Sequence, residues 1–140
     1  MSDWLDRLVG DWIWEADSVP TNPDRQRTGI ETVTRQGAWV MIDSPDGYRF
    51  QLAFDPERDR VTGDFIHLED PRLWTYDGAP EGDRLVLASR GPRMDGGSGE
   101  TDYQDVWEIV SDDERIMTGR VLGDDGEWAD FTITRYRRKS

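Results

Sequence analysis

Few side chains in this sequence are equipped for chemistry. There is one histidine, His67, and no cysteine, which removes thiolate nucleophiles, zinc fingers, iron–sulfur ligation and every multi-histidine metal site. His67 stands two residues beyond Phe65 in an alternating run, with Tyr48 as its expected cross-strand neighbour. An imidazole so placed serves as a ligand hydrogen-bonder, a general base or a metal ligand, or merely lines an interior and is satisfied by a neighbour. Asp105 lies between Tyr103 and Trp107 at alternate positions. A carboxylate in that company is costly to bury unless paired, and Arg135 is the candidate partner. The pair admits a structural role, a ligand-orienting role, or acid–base chemistry with a second positioned group. The acidic stretches Ser111 to Glu114 and Asp124 to Glu127 lack the spacing of a calcium loop and read as solvated turns. Gly96-Gly97-Ser98-Gly99 has neither the Lys nor the following helix of a phosphate loop. The basic run Arg135, Arg137, Arg138, Lys139 is set against a net charge of -13, so nucleic acid is not an expected partner. No metal and no cofactor are implied.

The elements that must position these groups are strands. The 140 residues suit one domain, 1–140, and seven tryptophans supply buriable surface to a chain otherwise rich in charge. No run approaches the roughly 18 apolar residues of a membrane helix, and the first residues lack the basic start and apolar stretch of a secretory signal. A cytoplasmic protein with no membrane partner is the expectation. Trp4, Leu5, Leu8 and Val9 have helical spacing, with Ser2 or Asp3 to cap the start and Gly10 to end it. Beyond Asp11 apolar residues alternate in short runs cut by turns, which predicts strands near 11 to 17, 28 to 35, 38 to 44, 48 to 55, 60 to 68, 72 to 77, 84 to 90, 101 to 110, 115 to 122 and 127 to 137. Ten such strands indicate an all-β up-and-down barrel or a sandwich. The connections Val19 to Arg27 and Gly91 to Glu100 are expected to be its mobile parts.

Turn chemistry sets registers, and registers decide which side chains share a face. A three-residue loop ending at a left-handed Gly47 pairs Ile42 with Phe50 and Val40 with Leu52 inside, leaving Trp39, Met41, Arg49 and Gln51 outside. A four-residue loop at Pro56 to Asp59 pairs Phe54 with Val61, Phe50 with Phe65 and Tyr48 with His67. In the last hairpin Val121 meets Ala129, Gly119 meets Phe131 and Met117 meets Ile133 inside, with Arg120 against Asp130 outside. The hairpin before it sets Ile109 against Met117 and Trp107 against Gly119, carrying Asp105 and Tyr103 inward. Arg135 shares the parity of Phe131 and Ile133 and is expected inside. Trp4, Trp12 and Trp14 read as helix-plug and floor packing, which leaves Trp107 and Trp74 as lumen candidates.

Leu8-Val9-Gly10-Asp11-Trp12 carries a Gly-x-Trp between the helix and the first strand, and the chain closes on Tyr136-Arg137-Arg138. This pairing resembles the calycin superfamily of lipocalins, fatty-acid-binding proteins and nitrobindins. More closely, these segments together with Ala53-Phe54-Asp55-Pro56-Glu57 and Val121 to Trp128 resemble a bacterial calycin-like family described as a domain of unknown function. The resemblance spans nearly the whole chain and implies a closed antiparallel barrel in which Trp12 packs on Arg135 or Arg137. Nitrobindins hold haem through a His near the carboxyl end. No His follows His67, so haem is not expected. The Arg-x-Tyr carboxylate clamp of fatty-acid-binding proteins is not carried over either, because Arg135-Tyr136-Arg137 sends Tyr and Arg to opposite faces.

The leading expectation is a lumen that holds a small apolar or amphipathic molecule among Phe50, Leu52, Phe65, Trp107 and Phe131, oriented by Tyr48, His67, Tyr103, Asp105 and Arg135. Two other classes remain open. One is an interaction module or homodimer with a filled barrel and an outer patch at Trp39, Met41 and Arg49. The other is a metal-free isomerase, cyclase or lyase using His67 or Asp105 as base.

Overall fold

Strands whose apolar side chains alternate bury one face only, and a row of them joined by tight turns hides that face by curling closed. The computed structural model describes residues 3–17, 28–93 and 97–139. Helix α1 (Asp3–Asp6) is followed by β1 (Gly10–Ala16), β2 (Thr28–Gln36), β3 (Trp39–Asp43), β4 (Tyr48–Asp55), β5 (Arg60–His67), β6 (Asp70–Glu81), β7 (Arg84–Pro92), β8 (Glu100–Ser111), β9 (Glu114–Leu122) and β10 (Trp128–Arg138). Each strand pairs antiparallel with the next and β1 pairs with β10, giving a closed ten-stranded up-and-down barrel. Ser2, the Val19 to Arg27 connection and residues 94–96 lie outside the described residues. Gly91 and Pro92, expected in a connection, extend β7. No helix among the described residues is long and apolar enough to cross a membrane.

The helix is one turn long, but the chain after it keeps turning: the Leu8 amide donates to the Leu5 carbonyl at 3.0 Å. Trp4, Leu5 and Leu8 are buried and close one end of the barrel. There the Trp4 indole donates to the Gly82 carbonyl in the β6–β7 turn at 2.9 Å, and Arg7 pairs with Asp83 at 2.9 Å. Alternate hairpins fall at opposite ends of an up-and-down barrel, so the turns around Gly47, Leu68 and Asp125 surround the other end.

Trp12 and the last strand join the barrel, through a different arginine from those expected. Arg135 and Arg137 are both exposed. Arg138, the strand partner of Trp12, lies 4.3 Å from its ring and donates to the Val9 carbonyl at 2.6 Å and the Asp112 carbonyl at 2.9 Å. Gly10 makes the room. Its φ is +138°, and a Cβ there would stand 2.3 Å from the Arg138 Nη1.

The hairpins β3–β4 and β4–β5 carry the expected pairs, Ile42 with Phe50, Val40 with Leu52, Phe50 with Phe65, Tyr48 with His67 and Phe54 with Val61, and Gly47 is left-handed at φ +104°. Two registers differ. Between β8 and β9 the partners are Trp107 with Met117 and Asp105 with Gly119, two residues from expectation, so the inward set is unchanged. Between β9 and β10 a bulge at Phe131 makes Thr132 the partner of Gly119 and Thr134 the partner of Met117, while Ala129 with Val121 and Asp130 with Arg120 stand as expected. One extra residue reverses parity beyond it. Thr134 and Tyr136 therefore turn inward, and Ile133 is not the partner of Met117.

Candidate ligand-binding site

The interior is filled from the helix-capped end upward. Leu52, Val61, Leu85 and Leu87 are completely buried, with Trp12 and Trp107 beside them. Above that floor lies a charged group that no turn or motif announces. Glu31 on β2 and Arg115 on β9 form an ion pair with both side chains inaccessible to solvent. The guanidinium is surrounded by rings, 3.8 Å from Tyr136, 4.7 Å from Trp12 and 5.4 Å from Trp107. Its Nε and Nη1 have no hydrogen-bond partner among the described residues, so ring faces supply part of what water would have provided. The Tyr48 hydroxyl donates to the second carboxylate oxygen of Glu31 at 2.9 Å. Burial first, and then the Glu31 charge, push the Tyr48 and Tyr136 hydroxyls far above the ordinary phenol value, so both stay protonated.

Toward the uncapped end the rings stop short of filling the lumen. Trp14, Tyr48, Phe50, Phe65, Met117, Thr132, Thr134 and Tyr136 surround a cavity of about 190 Å³ that opens to solvent. Trp14, expected in the floor, is part of this wall. Phe50 organises the rings, 4.5 Å from Phe65, 5.8 Å from Tyr48 and 5.4 Å from Trp107. The volume exceeds the roughly 150 Å³ that admits benzene and falls short of the roughly 300 Å³ at which drug-sized pockets begin.

The expected site residues fall in six places. Tyr48, Phe50 and Phe65 line the cavity. Leu52 and Trp107 lie in the packed core. Tyr103 and Phe131 join Trp74 in a separate aromatic row, with ring centres 5.9 and 5.2 Å apart, and Phe131 still covers Gly119 despite the bulge. His67 sits at the rim beside Gly47, its Nδ1 accepting the Glu69 amide at 3.3 Å. Arg135 is a correction: the bulge turns it outward, where it lies 3.9 Å from Asp17, and it makes no pair with Asp105. Asp105 instead accepts the Tyr76 hydroxyl at 2.7 Å. Burial raises its carboxyl to about 6, opposed by that hydrogen bond. Neither Asp105 nor His67 lines the cavity. Gly63 and Gly119 do not open onto the cavity: a Cβ at Gly63 would strike the Gln51 carbonyl at 2.1 Å, and one at Gly119 would meet Thr132 at 2.6 Å.

Met117, Thr132, Thr134, Tyr136 and Trp14 were not among the expected site residues. Met117 was within reach, since its inward parity follows from the turn. Thr134 and Tyr136 were hidden by the bulge. Outside the barrel Trp39 is 38% exposed, Met41 is partly covered and Arg49 pairs with Asp43 at 2.6 Å. No cluster of three or more potential metal ligands occurs among the described residues.

No curated protein matches this chain. Among solved structures it is similar to a tryptophan-to-alanine mutant of the vaccine antigen Transferrin Binding Protein B from Haemophilus parasuis Hp5, with 13% identity and a TM-score of 0.42. The match covers 97% of this chain and 28% of that one, too slight a likeness to bear on ligands or partners. A family model described as "Protein of unknown function (DUF1579)" matches residues 1–138, and the chain belongs to that family.

Proposed function

We propose that the protein binds a small, largely apolar molecule in the uncapped end of its barrel. The observation that carries this reading is the 190 Å³ cavity, walled by five aromatic rings and Met117 and open to solvent at one side. A barrel needing only stability gains by closing such a space, since each unfilled methylene-sized gap forfeits packing energy. The base-catalysis alternative has less support, because His67 and Asp105 stand outside the cavity wall and are engaged by Glu69 and Tyr76.

The test is titration of the full chain with toluene while tryptophan emission is followed, because Trp14 is in the wall. Saturable binding is expected in the parent. Met117→Trp, which places a larger side chain in the cavity, should abolish it while the variant retains the parental far-ultraviolet circular dichroism. Binding that survives in a folded Met117→Trp protein would place the ligand elsewhere, and no saturable response in the parent would leave the filled-barrel interaction module as the better reading.

A further inference from the structure

We propose that the outer wall of the barrel carries a second binding site, a groove across β1, β10 and β9 that takes a small phosphate monoester. Its phosphate lies between Arg135 and Arg137 and its uncharged body against Ile13 and Ile116. The groove has a volume of about 310 Å³, at the lower end of the range of small-molecule sites. In strand register Ile13 stands beside Arg137 and Ile116 beside Arg135, and all four line the groove. Trp14, Arg115 and Tyr136 border it too, but their side chains are buried in the barrel interior and Arg115 is held by Glu31. They meet the groove with their main chain, so the two exposed arginines are the cations it offers a ligand.

A break in the charge pairing points to an anion. With 30 acidic side chains against 17 basic ones, an arginine readily finds a carboxylate. Among the described residues every arginine except Arg137 has one within 4.0 Å. Arg135, on the same outer row of β10, reaches Asp17 only at 3.9 Å. Arg138 is used at the closure of the barrel, so Arg135 and Arg137 are what remains of the basic run for a ligand. They stand two residues apart, roughly 7 Å along the strand. A planar carboxylate suits one guanidinium fork, whereas the three oxygens of a phosphate can occupy two at once. Glu15 and Glu114 are the strand partners of Arg135 and Arg137 and line the same groove without forming ion pairs with them. They leave both forks open and repel a second anionic group, so the body of the ligand must be uncharged. The net charge of -13 opposes the approach of any anion, but at physiological ionic strength that field is screened within about 8 Å, while the guanidiniums act at contact.

Calorimetry on the full chain with phenyl phosphate tests the site, with inorganic phosphate, phenol and benzoate as the head alone, the body alone and a planar head. Phenyl phosphate should bind saturably, and each of the other three about tenfold more weakly or worse. Arg137→Ala should weaken phenyl phosphate about tenfold, and it should leave the melting temperature unchanged, because the side chain is exposed and unpaired among the described residues. Arg90→Ala, which removes an exposed arginine elsewhere on the barrel, should leave affinity within about twofold. No saturable binding of phenyl phosphate by the parent, or full affinity in Arg137→Ala, would overturn the site. Equal losses in Arg137→Ala and Arg90→Ala would do the same, by showing that only overall charge is felt. Inorganic phosphate or benzoate binding as tightly as phenyl phosphate would overturn the ligand class. None of these results depends on whether the lumen cavity binds a molecule of its own.

Discussion

Glu31 and Arg115 are opposite charges with almost no access to water, and their energetics are asymmetric. Two charges leave solvent at a cost that their attraction does little more than offset, whereas removing one leaves the other buried alone. Arg115→Met is therefore expected to cost roughly 3 to 5 kcal/mol in urea melts. Adding Glu31→Gln, which keeps an acceptor for Tyr48, should recover a large part of that loss. A double variant no more stable than Arg115→Met would show that the rings around the guanidinium, not the paired carboxylate, determine its contribution. Asp105 gives a prediction with the opposite sense to most carboxylates. Its folded value, about 6, lies above the ordinary 3.8, so between those values the native state holds a proton that the unfolded chain has lost. Its contribution to stability then falls as pH rises from about 4 to about 6 and is level above that. Asp105→Asn, which can still meet Tyr76, should stabilise the protein at pH 7 by on the order of 1 to 3 kcal/mol. That gain should vanish near pH 4, and a difference between variant and parent that does not change with pH would contradict the assignment.

At the scale of the elements, closure depends on one junction where α1, β1 and β10 meet. Trp12 is buried, donates to the Leu8 carbonyl at 2.8 Å and is faced by both Arg115 and Arg138. Trp12→Ala is expected to cost about 3 to 5 kcal/mol, as buried aromatic truncations do; a loss below about 1 kcal/mol in denaturant melts would contradict the burial of this ring. The glycines facing neighbouring strands give a second measure. Gly63→Ala meets a backbone carbonyl that cannot swing aside, so it should destabilise more than Gly119→Ala, whose nearest atoms are the side chains of Thr132 and Phe131. Thermal melts that rank the two the other way would show that the β4–β5 pairing yields more easily than the packing on β10. These same strands explain what was legible beforehand. Alternation and turn residues placed the ten strands, because an Asp-Pro or Asp-Gly break is visible in one dimension. Around Gly47 and Pro56 the loop also set the register, and Tyr48, Phe50 and Phe65 followed onto one face. The bulge at Phe131 has no glycine to mark it, so Arg135 was placed inside and Tyr136 outside. Glu31 and Arg115 are 84 positions apart on strands that are not neighbours, so no hairpin register brings them together; curvature and closure do.

For the whole molecule the governing quantity is charge. Thirty acidic side chains face 17 basic ones, and most of the ion pairs among the described residues are exposed, as with Arg90 and Asp102 at 58% and 49% or Arg58 and Asp77 at 50% and 47%. Pairs of that kind contribute about 0 to 1 kcal/mol each. The unpaired excess of carboxylates repels over longer distances and favours expansion of the chain. Salt weakens both effects unequally. Raising ionic strength from about 0.01 to about 0.1 M shortens the screening length from roughly 30 to roughly 10 Å, which removes most repulsion between separated carboxylates while touching pairs at 2.7 to 3.0 Å much less. The buried Glu31–Arg115 pair, shielded from solvent, should hardly respond. The melting temperature is therefore expected to rise with added sodium chloride over this range, by about 2 to 5 °C for roughly 1 kcal/mol relieved in a domain of this size. A fall instead would mean that the exposed arginine–carboxylate pairs act as a network whose stabilisation exceeds the repulsion.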